Sequence, residues 1–164
     1  MVPKLYRISG PWSGTLFLSS RPRGGDWLED EVIGWRRFGI DTVVSLLTQD
    51  EEYELDLAHE SSDALKHAMA FVSYPIADRS IPADASTLST LLENIQRDLR
   101  QGKNVLVHCR QGIGRTGLIA ASLLVREGMD PEAAIQEVSR VRGVPVPETH
   151  EQESCIYEIA ANVK

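Results

Sequence analysis

What most constrains this chain is a short apolar strand that runs into a glycine-spaced loop and from there directly into an apolar helix. Val105, Leu106 and Val107 follow Gly102 and Lys103 as a buried strand, and Leu118 to Val125 form a helix-length apolar run that Gly128 closes. Between them lies His108-Cys109-Arg110-Gln111-Gly112-Ile113-Gly114-Arg115-Thr116-Gly117. A strand buried on both faces and followed at once by a helix belongs in a parallel sheet covered by helices. The loop then sits at the carboxyl end of a strand, where such folds take their ligands.

The free N–H groups at the helix start, with the loop amides that Gly112 and Gly114 allow to turn inward, form a concave nest suited to a dianion. Arg115 adds a planar fork that grips two oxygens at once and follows them as a tetrahedral phosphate becomes trigonal bipyramidal. Arg110, Gln111, Gly112, Ile113, Gly114 and Arg115 are therefore the expected phosphate-binding residues. The same positive field favours a thiolate over a thiol, which makes Cys109 the expected nucleophile. Thr116 lies at the helix start, and its hydroxyl is expected to donate to the Cys109 sulfur and ease its later departure as a leaving group.

Cys109 and Arg115 are separated by five residues, and His-Cys-x-x-Gly-x-x-Arg-Thr-Gly resembles the signature of the cysteine-dependent protein phosphatases, the tyrosine and dual-specificity class. Trp35-Arg36-Arg37-Phe38-Gly39-Ile40-Asp41-Thr42-Val43-Val44-Ser45-Leu46-Leu47 resembles the helix, glycine turn and central strand of the compact dual-specificity fold. Ser20-Arg21-Pro22-Arg23-Gly24-Gly25-Asp26-Trp27 and Pro145-Val146-Pro147-Glu148-Thr149 are similar to the group around the cyclin-dependent-kinase-associated phosphatase. The resemblance implies Cys109 and Arg115 as catalytic residues, no metal, no cofactor and a phosphocysteine intermediate. In Tyr74-Pro75-Ile76-Ala77-Asp78 it implies Asp78 as the general acid that protonates the leaving oxygen and then serves as base for the attacking water. Asp84, the nearby competitor, is read as the N-cap of the next helix. Gln152, after the proline-containing turn, is left between positioning the hydrolytic water and an exposed helix position. His108 is expected to support the loop by hydrogen bonding rather than to carry protons.

Hydrophobic spacing predicts strands near Leu5–Ile8, Thr15–Leu18, Thr42–Leu46, Phe71–Tyr74 and Val105–His108. Helices are predicted over Asp26–Phe38, Leu55–Met69, Asp84–Arg100, Thr116–Glu127, Pro131–Val141 and Thr149–Asn162. This alternation is α/β, a mostly parallel central sheet flanked by helices. The helical aromatics Trp27, Trp35 and Phe38 are expected in the core, and the acidic run Asp50 to Glu54 at a solvated helix start.

Residues 1–164, with 42% hydrophobic content, suffice for one domain with its own core. The two cysteines, Cys109 and Cys155, have no paired or metal-ligand spacing, and a thiolate enzyme needs a reducing compartment, so a cytoplasmic protein is expected. The segment from Met1 to Arg7 shows no apolar signal core, and no run approaches the roughly 20 apolar residues that cross a bilayer. A net charge of −7 argues against a general nucleic-acid binder. Arg21, Arg23, Arg36, Arg37, Arg79, Arg110, Arg140 and Arg142 are the cations from which an anion-attracting rim is expected to be drawn. The expected partner is a phosphoprotein or phosphopeptide bound by a monomer, with neither nucleic acid nor membrane. Other classes stay open at this point: the same chemistry on a phosphoinositide or another small phosphomonoester, a sulfurtransferase or arsenate reductase, or a silent phospho-binding module.

Overall fold

The computed structural model describes residues 4–163. Of the segment Met1 to Arg7, expected to carry no signal core, Met1 to Pro3 lie outside the described residues. Five strands, β1 (Tyr6–Ile8), β2 (Leu16–Ser19), β3 (Thr42–Ser45), β4 (Ala70–Ser73) and β5 (Val105–His108), form one sheet in the order β1-β2-β5-β3-β4. β1 is antiparallel to β2, and every other pairing is parallel. The helices are α1 (Leu28–Phe38), α2 (Gln49–Glu54), α3 (Glu60–Lys66), α4 (Ala85–Arg100), α5 (Gly114–Arg126), α6 (Pro131–Arg142) and α7 (His150–Ala161).

Strand side chains alternate between two faces, and the core divides accordingly. Leu16, Leu18, Val44, Val105 and Val107 join α4, α5 and residues of α6 and α7 in one cluster. Phe17, Val43 and Leu106 join Val32 and Trp35 of α1 and Ala64 of α3 in the other. Every residue of α5 from Gly114 to Val125 is buried, as its nearly unbroken apolar run requires. Asn104 aligns the strand starts: its amide accepts from the Thr15 N–H at 3.0 Å and donates to Gly39 O at 2.9 Å.

Local signals set the boundaries. Asp84 caps α4 by accepting from the Ser86 N–H at 2.8 Å, Asp130 caps α6 ahead of Pro131, and Thr149 caps α7. Gly39 and Gly143 end α1 and α6 in the left-handed conformation. Of the single helix expected over Leu55–Met69 only the short α3 forms, and a separate short helix, α2, precedes that range. A Thr48/Glu51 capping box starts α2, and Asp56 at φ 57° breaks the run between the two. Of the three aromatics expected inside, only Trp35 is buried. Trp27 and Phe38 are each 56% exposed, Trp27 lying under the Arg23 guanidinium and Phe38 edge-on to Phe17. No described helix is long and apolar enough to cross a membrane.

Candidate active site

The site is assembled where β3, β4 and β5 end. Val105 and Val107 face the α5 layer and Leu106 the α1 layer. The same alternation carries His108 toward α1 and α3 and Cys109 into the α5 cluster. His108 is fully buried, with Nε2 2.5 Å from Glu60 Oε2 and Nδ1 3.4 Å from Cys109 O. Burial alone lowers the His108 pKa, but the Glu60 charge and hydrogen bond outweigh it and raise it above the usual imidazole value. His108 thus lies against the Cys109 peptide while its far nitrogen is held by Glu60.

Beyond Cys109 the chain turns back over its own sulfur. The Gly112 N–H donates to Cys109 Sγ at 3.3 Å. Gly112 has φ 74°, and a side chain there would meet the Ser19 carbonyl oxygen at 2.5 Å, so only glycine fits. The Thr116 hydroxyl departs from expectation. It is buried without a hydrogen-bond partner among the described residues and makes no bond to the sulfur, which accepts from the Gly112 amide.

Arg115, in the first turn of α5, is only 2% exposed. Nη1 donates to Glu51 Oε1 at 2.6 Å and to Ile76 O at 2.8 Å; Nη2 donates to Glu51 Oε2 at 2.9 Å and to Asp78 Oδ1 at 3.1 Å. Burial disfavours the Arg115 charge, yet Glu51, the Cys109 sulfur and Asp78 together hold its pKa above the ordinary value. Burial likewise pushes the Glu51 carboxyl up, but the Arg115 hydrogen bond and the Thr48 N–H outweigh it and keep Glu51 below the usual glutamate range. Glu51 was expected on a solvated helix face. It is instead the buried counter-charge that fixes the fork, and the signal that could have found it is Thr48-x-x-Glu51, a capping box placed directly after a strand.

Asp78, its side chain 57% exposed, reaches Arg115 from the loop after β4. Cys109, Arg110, Gln111 and Arg115 share with Asp78, Arg79 and Glu148 a cavity of about 170 Å³. Gln152 is not among its lining residues, nor is it exposed. Its amide nitrogen donates to Ser80 O at 3.1 Å and its oxygen accepts from the Glu148 N–H at 3.1 Å, so it ties the Asp78 loop to the start of α7. Of the arginines considered for the rim, Arg79 and Arg110 line the cavity, paired with Glu148 and Glu54 respectively. Arg23, Arg36 and Arg140 are engaged elsewhere, with Glu31, Asp41 and Glu137. Among the described residues no group of three or more His, Cys, Asp or Glu side chains is placed to hold a metal ion.

Residues 19–129 match a family described as a polymorphic toxin system DSP-PTPase phosphatase. Over 138 residues the chain is 33% identical to the dual specificity protein phosphatase TpbA of Pseudomonas aeruginosa strain UCBPP-PA14, an alignment covering 83% of this chain and 53% of that protein. The chain spans about half the length of the first curated relatives it matches. The crystal structure of kinase-associated phosphatase, with its catalytic cysteine replaced by serine, covers 99% of this chain and 97% of its own at a TM-score of 0.91. Its identity of 21% makes that a likeness of fold. Tk-PTP in its active form gives a TM-score of 0.80 at 29% identity, with 97% of both chains covered.

Proposed function

The chain belongs to the dual-specificity protein tyrosine phosphatase family, and from that membership we propose that it hydrolyses phosphotyrosine, and phosphoserine or phosphothreonine, in proteins through a phosphocysteine and without a metal. The observation that carries this reading is the small cavity whose lining joins Cys109, Arg115 and Asp78. We read residues 1–164 as one phosphatase domain, active as a monomer in a reducing compartment such as the cytoplasm.

In the first half-reaction Cys109 Sγ attacks phosphorus as the bond to the leaving oxygen breaks, and Asp78 gives that oxygen its proton. The Arg115 fork and the loop N–H groups take up the charge on the equatorial oxygens. In the second, water attacks phosphorus, Asp78 accepts its proton, and the sulfur–phosphorus bond breaks to release phosphate and the Cys109 thiolate. The substrate's dianion displaces Asp78 from Arg115 Nη2, which frees the carboxyl for the leaving group. Gln152 holds the Asp78 loop through Ser80 and is assigned a positioning role, and the buried Thr116 hydroxyl is assigned to support the Cys109 thiolate as it leaves phosphorus.

The test is hydrolysis of an aryl phosphate in EDTA by wild type, Cys109→Ser and Asp78→Ala, followed by phosphopeptides carrying each of the three residues. Turnover by wild type, none by Cys109→Ser, and a loss of about 10²- to 10⁴-fold in Asp78→Ala are expected. An inert wild type, or an active Cys109→Ser, overturns the reading. Turnover of aryl phosphate and a phosphoinositide but of no phosphopeptide overturns the protein substrate alone.

A further inference from the structure

Arg142, the last residue of α6, lies outside the cavity, against the back of the loop that forms its floor. Its Nε donates to Gly112 O at 2.7 Å and its Nη2 to Gln111 O at 3.1 Å. Its guanidinium carbon is 3.9 Å from the ring centre of Tyr6 in β1. Two hydrogen bonds and one aromatic face therefore fix the planar group in place.

The consequence follows from peptide geometry. In a trans peptide the carbonyl oxygen and the N–H of the next residue point to opposite sides. A cation that holds the carbonyls of Gln111 and Gly112 on the outer side of the loop therefore turns the N–H groups of Gly112 and Ile113 toward the inner side. The Gly112 N–H is found there, donating to Cys109 Sγ at 3.3 Å. The positive charge on those carbonyls also polarises both peptides and makes their N–H groups stronger donors. Gly112 sits at φ 74°, so the loop lacks the backbone preference that would hold it in this shape unaided.

We propose that Arg142 is a positioning residue for oxyanion binding: from behind the loop it orients the Gly112 and Ile113 amides toward the bound anion, without touching it. Arg115 and Arg142 then grip the anion and its cradle from opposite sides. The proposal rests on the phosphatase reading only for its effect on turnover, since oxyanion binding is measurable without catalysis.

The test compares wild type, Arg142→Ala, Arg142→Lys and Tyr6→Leu in three readouts: tungstate affinity by calorimetry, alkylation of Cys109 by anionic iodoacetate relative to neutral iodoacetamide, and kcat and KM on an aryl phosphate. Arg142→Ala is expected to weaken tungstate binding about tenfold or more, the scale of losing charge-assisted hydrogen bonds. It is also expected to lower the iodoacetate preference and to reduce kcat. Arg142→Lys, which serves one carbonyl at a time, and Tyr6→Leu, which loosens the stack, should show smaller changes in the same order and keep the test alive if Arg142→Ala does not fold. Unchanged tungstate affinity and alkylation preference in folded variants, with only a lower Tm, overturns the proposal and leaves Arg142 as a brace. A wild type that binds tungstate in an Arg142-dependent way yet hydrolyses nothing upholds the proposal and overturns the phosphatase reading instead.

Discussion

At the residue scale the most consequential pair is Arg115 and Glu51, whose side chains are 2% and 9% exposed. Removing one partner of such a pair strands the other charge in the interior, at a cost of about 3 kcal/mol. Glu51→Gln keeps an acceptor but loses the counter-charge and one arm of the fork. It is expected to lower kcat/KM about a hundredfold, the scale of a misplaced catalytic group, in assays where Cys109→Ser is inert. The pH dependence has a definite sign. The folded-state pKa of Glu51 is depressed, so its stabilisation is complete above the ordinary glutamate value of about 4.3 and is lost as pH falls through the lower folded value. Melting curves recorded from pH 6 downward should show a steeper fall in Tm for wild type than for Glu51→Gln, the difference opening only below the ordinary value. Cys109 and Arg115 were legible in the sequence because one continuous loop carries both. Glu51 was not, because its partner is remote in sequence and the acidic run around it has the composition of a solvated helix start.

At the scale of elements, the Asp78 loop is held less by its own residues than by what reaches it from elsewhere. Ile76 N–H pairs with Leu46 O at 3.1 Å, continuing the β3–β4 ladder, and Gln152 spans from Ser80 to Glu148. Gln152→Ala removes that span while leaving Cys109 and Arg115 untouched. We expect kcat to fall about tenfold, with the loss concentrated in the limb of the pH–rate profile that reports the acid and with KM little changed. Equal losses across the profile would assign Gln152 to general stability. The strands and the five long helices α1, α4, α5, α6 and α7 were legible because their apolar periods are long or their caps explicit, Asp84, Pro131 and Gly39 among them. The α2–α3 region was not. Two one- to two-turn helices leave too little period to read, and the left-handed Asp56 between them has no glycine to announce it.

At the scale of the whole molecule, Cys109 and Asp78 are suspended from different parts of the sheet. Cys109 follows β5, which has a parallel neighbour on each side and all four residues buried; Asp78 follows β4, an edge strand with one neighbour and mostly exposed side chains. Opening β5 means parting the sheet down its middle and exposing both hydrophobic clusters at once, whereas β4 can detach from β3 alone. Native-state amide exchange should therefore find Leu106 and Val107 released only with the entire fold, and Val72 and Ser73 released at a smaller free energy, with urea dependence to match. Similar exchange at the two strands would contradict this division. A site of this shape is built like a vice with one fixed jaw: the sulfur is anchored to the part of the protein that opens last, and the carboxyl rides on the part that yields first.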